Sequence, residues 1–168
     1  MVADLYKNPY FDSSVFLGWI KKEVVKGVNR RTPADHILTL AEGGSMTIIT
    51  STLTLVEVHK LRSGPIIEEK DNGTLLKSFE RYLENEWIRL VDVDRRIGEE
   101  ANSFCRQYGI YPNYAIHLAC ALRAKCDYLP AWDDRFSKVV HPDIKFDEPK
   151  ITGQTTIQFP PPPLLDKS

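Results

Sequence analysis

At 168 residues the chain has room for one compact domain with a buried core and little more. Its 22 Lys and Arg against 23 Asp and Glu leave a net charge of −1, so no overall basic field draws in nucleic acid. The composition, 42% hydrophobic and 27% charged, excludes disorder and a coiled coil, and no apolar run approaches the roughly 20 residues of a membrane span.

Taken in order, the chain alternates short β-branched or aromatic runs with longer helical ones. Residues 1–9 lack the apolar run of a signal peptide. Tyr10-Phe11 forms a strand opened by Pro9, a position where a strand tolerates proline. Asp12-Ser13-Ser14 supplies capping side chains for a helix whose stripe carries Phe16, Ile20 and Val24. Thr32-Pro33 starts a second helix and Gly43-Gly44 stops it. The stretch 46–50 reads as a buried strand, and 51–62 as a helix ended by Ser63-Gly64-Pro65. After a charged connection, a helix over 74–86 shows Leu75, Phe79, Tyr82 and Leu83 on its apolar side.

A strand over 88–91 leads to a helix over 94–108 capped by Gly109, with Asp92 and Asp94 at its start. The helix over 113–125 is apolar on several sides and is therefore expected at the centre of the domain. Strands over 128–132 and 144–146 complete the series. Strands separated by helices imply parallel pairing through right-handed crossovers, hence a three-layer α/β/α domain over 1–150. Beyond it, the tail 151–168 carries Pro160 to Pro163 and reads as extended chain. Cys105, Cys120 and Cys126 are odd in number and lack metal-ligand spacing, which predicts unpaired thiols in a reducing cytoplasm.

Three acids occupy positions that strand-and-helix logic would leave neutral, and two of them stand at strand ends, where ligands of parallel sheets bind. Asp12 follows the first strand and Asp133 the strand ending in Trp132. Glu57 interrupts an apolar stripe between Leu53 and Leu61, so it is expected partly buried and in need of a partner. Each acid also has a plainer reading. Asp12 serves as an N-cap, Glu57 closes a capping box with Thr54, and Asp133 with Asp134 makes a solvated turn. Their comparable placement favours convergence, which carboxylates at neutral pH tolerate only around a cation.

The segments Tyr10-Phe11-Asp12-Ser13-Ser14-Val15-Phe16-Leu17, Thr52-Leu53-Thr54-Leu55-Val56-Glu57-Val58 and Ala115-Ile116-His117-Leu118-Ala119-Cys120-Ala121 resemble the PIN-domain family. So does Cys126-Asp127-Tyr128-Leu129-Pro130-Ala131-Trp132-Asp133-Asp134-Arg135-Phe136. The resemblance spans about residues 8 to 147, and the chain looks most like the single-domain toxins of VapC type. It implies a cytoplasmic endoribonuclease toxin that uses Mg²⁺ or Mn²⁺, with RNA as substrate, an antitoxin protein as partner and a homodimeric state. The family's first, second and last acids fall on Asp12, Glu57 and Asp133, which would hold the metal and carry catalysis.

The resemblance puts the family's third acid at Tyr114, a neutral phenol and a poor metal ligand. Three explanations compete. The site works with three carboxylates, helped by Asn113 or Asp134; or it binds RNA or a protein partner without cutting; or the tyrosine is an inactivating change. A hydroxyl residue, which the family often carries two places before its last acid, is replaced by Ala131. His117 reads as a packed, hydrogen-bonded histidine, and Trp19, Trp87 and Trp132 as core. The pairs Lys21-Lys22, Arg30-Arg31 and Arg95-Arg96 read as solvated faces. Ser13 and Ser14 are open to capping or to a phosphate.

Overall fold

The computed structural model describes residues 8–59, 69–132 and 134–149, the side chains of 69–72 excepted. Asp133, the end of the helix expected over 51–62, and the proline-rich tail therefore lie outside the described residues.

The element order is α1 (Ser13–Ile20), β1 (Val24–Val25), β2 (Val28–Asn29), α2 (Arg31–Glu42), β3 (Ile48–Ser51) and α3 (Leu53–Glu57). Then come α4 (Glu69–Leu83), β4 (Ile88–Val91), α5 (Arg95–Tyr108), α6 (Pro112–Arg123), β5 (Tyr128–Pro130) and β6 (Lys145–Asp147). β3 pairs in parallel with β4, from Ile48 opposite Ile88 to Ser51 opposite Val91, and β5 in parallel with β6. The segment 9–11 joins the two pairs. Tyr10 bridges Ile49, Pro9 bridges Tyr128, and the Tyr10 and Phe11 amides donate to the Tyr128 and Ile49 carbonyls at 2.8 and 2.7 Å. The spatial order is thus β4, β3, 9–11, β5, β6, all parallel, with the first strand in the middle.

Side-chain alternation along these strands builds the three layers, because successive residues of a strand face opposite sides. Tyr10 and Ile49 enter one core with α5 and α6, while Phe11 and Ile48 enter another with α1, α2 and α4. The first includes Ile97, Phe104, Ala115 and Leu118; the second includes Phe16, Ile37, Leu38 and Phe79. Three alanines of α6 (Ala115, Ala119 and Ala121) fall in the first core, and small side chains let this helix lie close to the sheet. Its centrality is as the sequence predicts.

Three elements differ from expectation. α4 begins at Glu69, inside the charged connection, and stops at Leu83, short of the expected 86. α1 stops at Ile20, and Val24 belongs to a β1–β2 hairpin whose two-residue loop, Lys26-Gly27, has φ of 50° and 79°. Positive φ at both loop positions is the conformation of a type I′ turn, which suits hairpin twist. α3 ends at Glu57 instead of running on as a helix, with Val58 at ψ 66°. Elsewhere the expected devices are present. Asp94 caps α5 by accepting from the Ile97 amide at 2.9 Å, and Gly109 ends it at φ 66°. The Arg123 guanidinium, 2.7 Å away, holds the Asp94 carboxyl below its ordinary range.

Candidate active site at the carboxyl edge of the sheet

The first strand is where the crossover direction reverses, with β3 on one side and β5 on the other. The crevice outside such a switch point is the ordinary ligand site of an open parallel sheet. Asp12 stands there at 1% exposure. Its Oδ1 accepts from the Ser14 amide (3.0 Å), the Ser14 hydroxyl (2.6 Å) and the Val15 amide (3.2 Å). It is the N-cap of α1, as its plainer reading had it, and the three donors fix its carboxylate at the strand end.

Glu57 reaches the same place from β3 through α3. Its Oε2 accepts from the Ser13 hydroxyl at 2.6 Å and from His117 Nε2 at 2.7 Å, and Oε1 accepts from Asn113 Nδ2 at 3.0 Å. Ser13 directly follows Asp12, so two acids distant in sequence are brought to one edge. Glu57 is 20% exposed, partly buried as expected, although for another reason. α3 is too short to carry a stripe to Leu61; the burial comes from α6 and α1 closing over the carboxylate. The capping box with Thr54 is not formed. Thr52 precedes α3, and the Thr54 hydroxyl pairs with Thr50 at 2.8 Å, which itself donates to the Phe11 carbonyl at 2.7 Å.

Burial alone would raise the Glu57 pKa, but hydrogen bonds from His117, Ser13 and Asn113 prevail and lower it to about 2. The group is therefore a fixed anion at neutral pH. Behind it, His117 is 1% exposed and its Nδ1 lies 2.8 Å from the Tyr10 hydroxyl. Nε2 donates to the Glu57 carboxylate, which can only accept, and the ring thereby links Glu57 to the Tyr10 hydroxyl on its other side. Burial pushes the Tyr10 phenol well above its ordinary value, so it keeps its proton. The expectation of a packed, bonded histidine holds, and the structure adds what it bonds to.

Asn113 and His117 stand one turn apart on α6 and share Glu57. Tyr114 faces elsewhere. Its ring lies 5.9 Å from that of Phe136 and 6.1 Å from that of Tyr111, with the Arg135 guanidinium 5.2 Å from its centroid. Asp134 is exposed and lies along that second flank. Both hydroxyls with two readings are taken, Ser13 by Glu57 and Ser14 by Asp12. Of the tryptophans only Trp132 is fully buried, and Arg30 lies over its ring at 5.2 Å rather than on an open face. The three cysteines form no disulfide, and burial raises Cys120 to about 11 and Cys126 to about 12, leaving protonated thiols.

A family model for the PIN domain matches residues 10–142. The chain belongs to the PIN-domain family. No curated protein matches the chain in sequence. Solved PIN-like structures share its α/β fold at low identity. A toxin–antitoxin complex from Klebsiella pneumoniae is 16% identical with a TM-score of 0.52, over 82% of this chain and 99% of the other. The Mycobacterium tuberculosis toxin VapC20, described as cleaving the sarcin–ricin loop, is 15% identical at TM-score 0.56, covering 77% and 92%. VapBC2 from Rickettsia felis, bound to a DNA fragment of its promoter, is 14% identical at 0.56, covering 84% and 98%.

Among the described residues no three His, Cys, Asp or Glu side chains cluster as a metal site. Asp12 and Glu57 nevertheless suit the cation the PIN resemblance implies. Both offer hard carboxylate oxygens, and Mg²⁺ is commonly bound by one or two carboxylates together with water and substrate phosphate. An anion already fixed at Glu57 needs no proton displaced before it can serve. No helix of the described residues is long and apolar enough to cross a membrane.

Proposed function

We propose that this PIN protein is a divalent-metal-dependent endoribonuclease, the toxin of a toxin–antitoxin pair, with Asp12, Glu57 and Asp133 holding Mg²⁺ or Mn²⁺. The observation that carries the reading is the delivery of Asp12 and Glu57 to one sheet edge, where Ser13, the residue after Asp12, donates to Glu57. When bound, the metal would neutralise the scissile phosphate and activate water for in-line attack. The chain's own residues supply the frame. Donors from α1 hold Asp12 in one orientation, and Ser13, Asn113 and His117 keep Glu57 charged and immobile. The sarcin–ricin loop cleavage described for the Mycobacterium tuberculosis toxin supports RNA as the substrate class, and the Klebsiella pneumoniae complex supports an antitoxin partner. A homodimeric, cytoplasmic protein fits the same reading.

Tyr114 favours a second reading, a PIN-like module that binds RNA or a protein without cutting. Its ring is engaged with Phe136 and Arg135 and brings no carboxylate. Calorimetric titration with Mn²⁺ tests the first reading: Asp12→Asn is expected to abolish binding, and equal binding by both proteins defeats the assignment. An RNA cleavage assay beside Tyr114→Asp separates the two. Cleavage by the unaltered chain selects the enzyme; cleavage by the variant alone selects the module.

A further inference from the structure

The second flank of the edge carries no acid network but a cleft of about 420 Å³, lined by Tyr111, Tyr114, Asp134, Arg135 and Lys138 among others. That volume lies within the range of small-ligand sites, about 300–1,000 Å³. Tyr111 precedes α6 and is 74% exposed, an unusual state for so large a ring, and its side chain makes no capping bond to the helix. Tyr114 meets it edge to face, at 78° between planes, and is braced by Phe136 and by Arg135. Two tyrosines are thus presented together, one of them held in place, with the cations Arg135 and Lys138 beside them. Asp134 and Arg135, which line the cleft, directly follow Asp133 in sequence.

An exposed ring next to cations is what single-stranded nucleic acid needs. Any unstacked base offers a π face to a tyrosine, and its phosphate needs a positive side chain nearby. Asp134 repels phosphate from its own rim and so directs the backbone along Arg135 and Lys138. An acidic peptide would answer the cations but leave the Tyr111 ring unused. The geometry points to a base-stacking subsite for single-stranded RNA in this cleft, with one nucleotide stacked on the exposed Tyr111 ring, which Tyr114 backs edge-on, and its phosphate at Lys138. The inference rests on the ribonuclease reading for its substrate class, yet it needs neither metal nor catalysis.

Anisotropy of a fluorescein-labelled single-stranded RNA decamer, measured in EDTA, tests it. Tyr111→Ala is expected to weaken binding about tenfold, while Tyr111→Trp, which keeps a stacking face, stays within about twofold. Lys138→Ala is expected to weaken binding several-fold and to reduce the salt dependence by the share of roughly one phosphate contact. The same strand in a duplex should bind more weakly, because its bases are already stacked. Unchanged affinity in Tyr111→Ala, equal affinity for the duplex, or no binding by the unaltered protein overturns the subsite. Cleavage in Mn²⁺ is read separately. If it persists while Tyr111→Ala binds normally, the subsite alone fails; if it is absent while the binding pattern holds, the nuclease reading alone fails.

Discussion

Two residues at the same edge of the sheet, Glu57 and Tyr114, show opposite ways of finishing a site. The bonded neighbours of Glu57 are polar and directed: a hydroxyl, an amide and an imidazole donate to one carboxylate. Around Tyr114 the neighbours are rings and a guanidinium, which constrain position without fixing a charge. Both flanks draw on α6, and the helix period decides between them. Asn113 and His117, four apart, serve the acid, while Tyr114 is turned from Asn113 by about 100°, the step of one helical residue. The edge is therefore asymmetric, with a fixed anion on one side and an aromatic surface flanked by Arg135 and Lys138 on the other.

The contrast can be broken most severely at His117. His117→Leu leaves the Glu57 carboxylate and the Tyr10 hydroxyl each short of a partner in a buried place, and is expected to cost about 2–4 kcal/mol in urea unfolding. His117→Gln, which can still reach Glu57 with an amide, should recover part of that loss. Acid should act on the same flank. The Glu57 pKa is about 2 when folded, against an ordinary value of 4.5, so its contribution is present above pH 4.5 and is lost as pH falls toward 2. Unfolding followed between those values is expected to show up to about 3 kcal/mol lost, and Glu57→Gln should flatten that stretch of the curve. The aromatic flank should respond least. Tyr114→Phe keeps the ring and its packing, so thermal stability should move by less than about 0.5 kcal/mol. Tyr114→Asp sharpens the comparison, because it places a carboxylate on the aromatic side. It is expected to raise Mn²⁺ affinity in calorimetry while weakening RNA binding in EDTA.

Much of this architecture is legible in the residues, because strand and helix periods, the Asp94 cap and the Gly109 stop are local signals. The placement of Asp12 is legible for the same reason, since an acid where an apolar run ends is conspicuous, whereas Glu57 stands out through a helical stripe that α3 does not form. The partners of Glu57 are not, since His117 lies 60 positions away and Tyr10 another 107 from His117, and only the sheet brings them together. Thr54 shows the opposite error. Its spacing from Glu57 imitates a local capping pattern, yet its hydroxyl is claimed by Thr50. Val24, the first residue of the hairpin, reads as helix because it falls on the α1 stripe, and Lys26-Gly27 is the signal that argues against it.

The strand at the centre of the sheet precedes, in chain order, the other four strands of that sheet. Its hydrogen bonds go to Ile49 and Tyr128, so a nascent chain that has not yet emerged past β5 can form only one side of the seat on which Asp12 is held. Truncated products ending before residue 128 would keep only the Ile49 side of that seat, so whatever the edge does waits on the synthesis of β5.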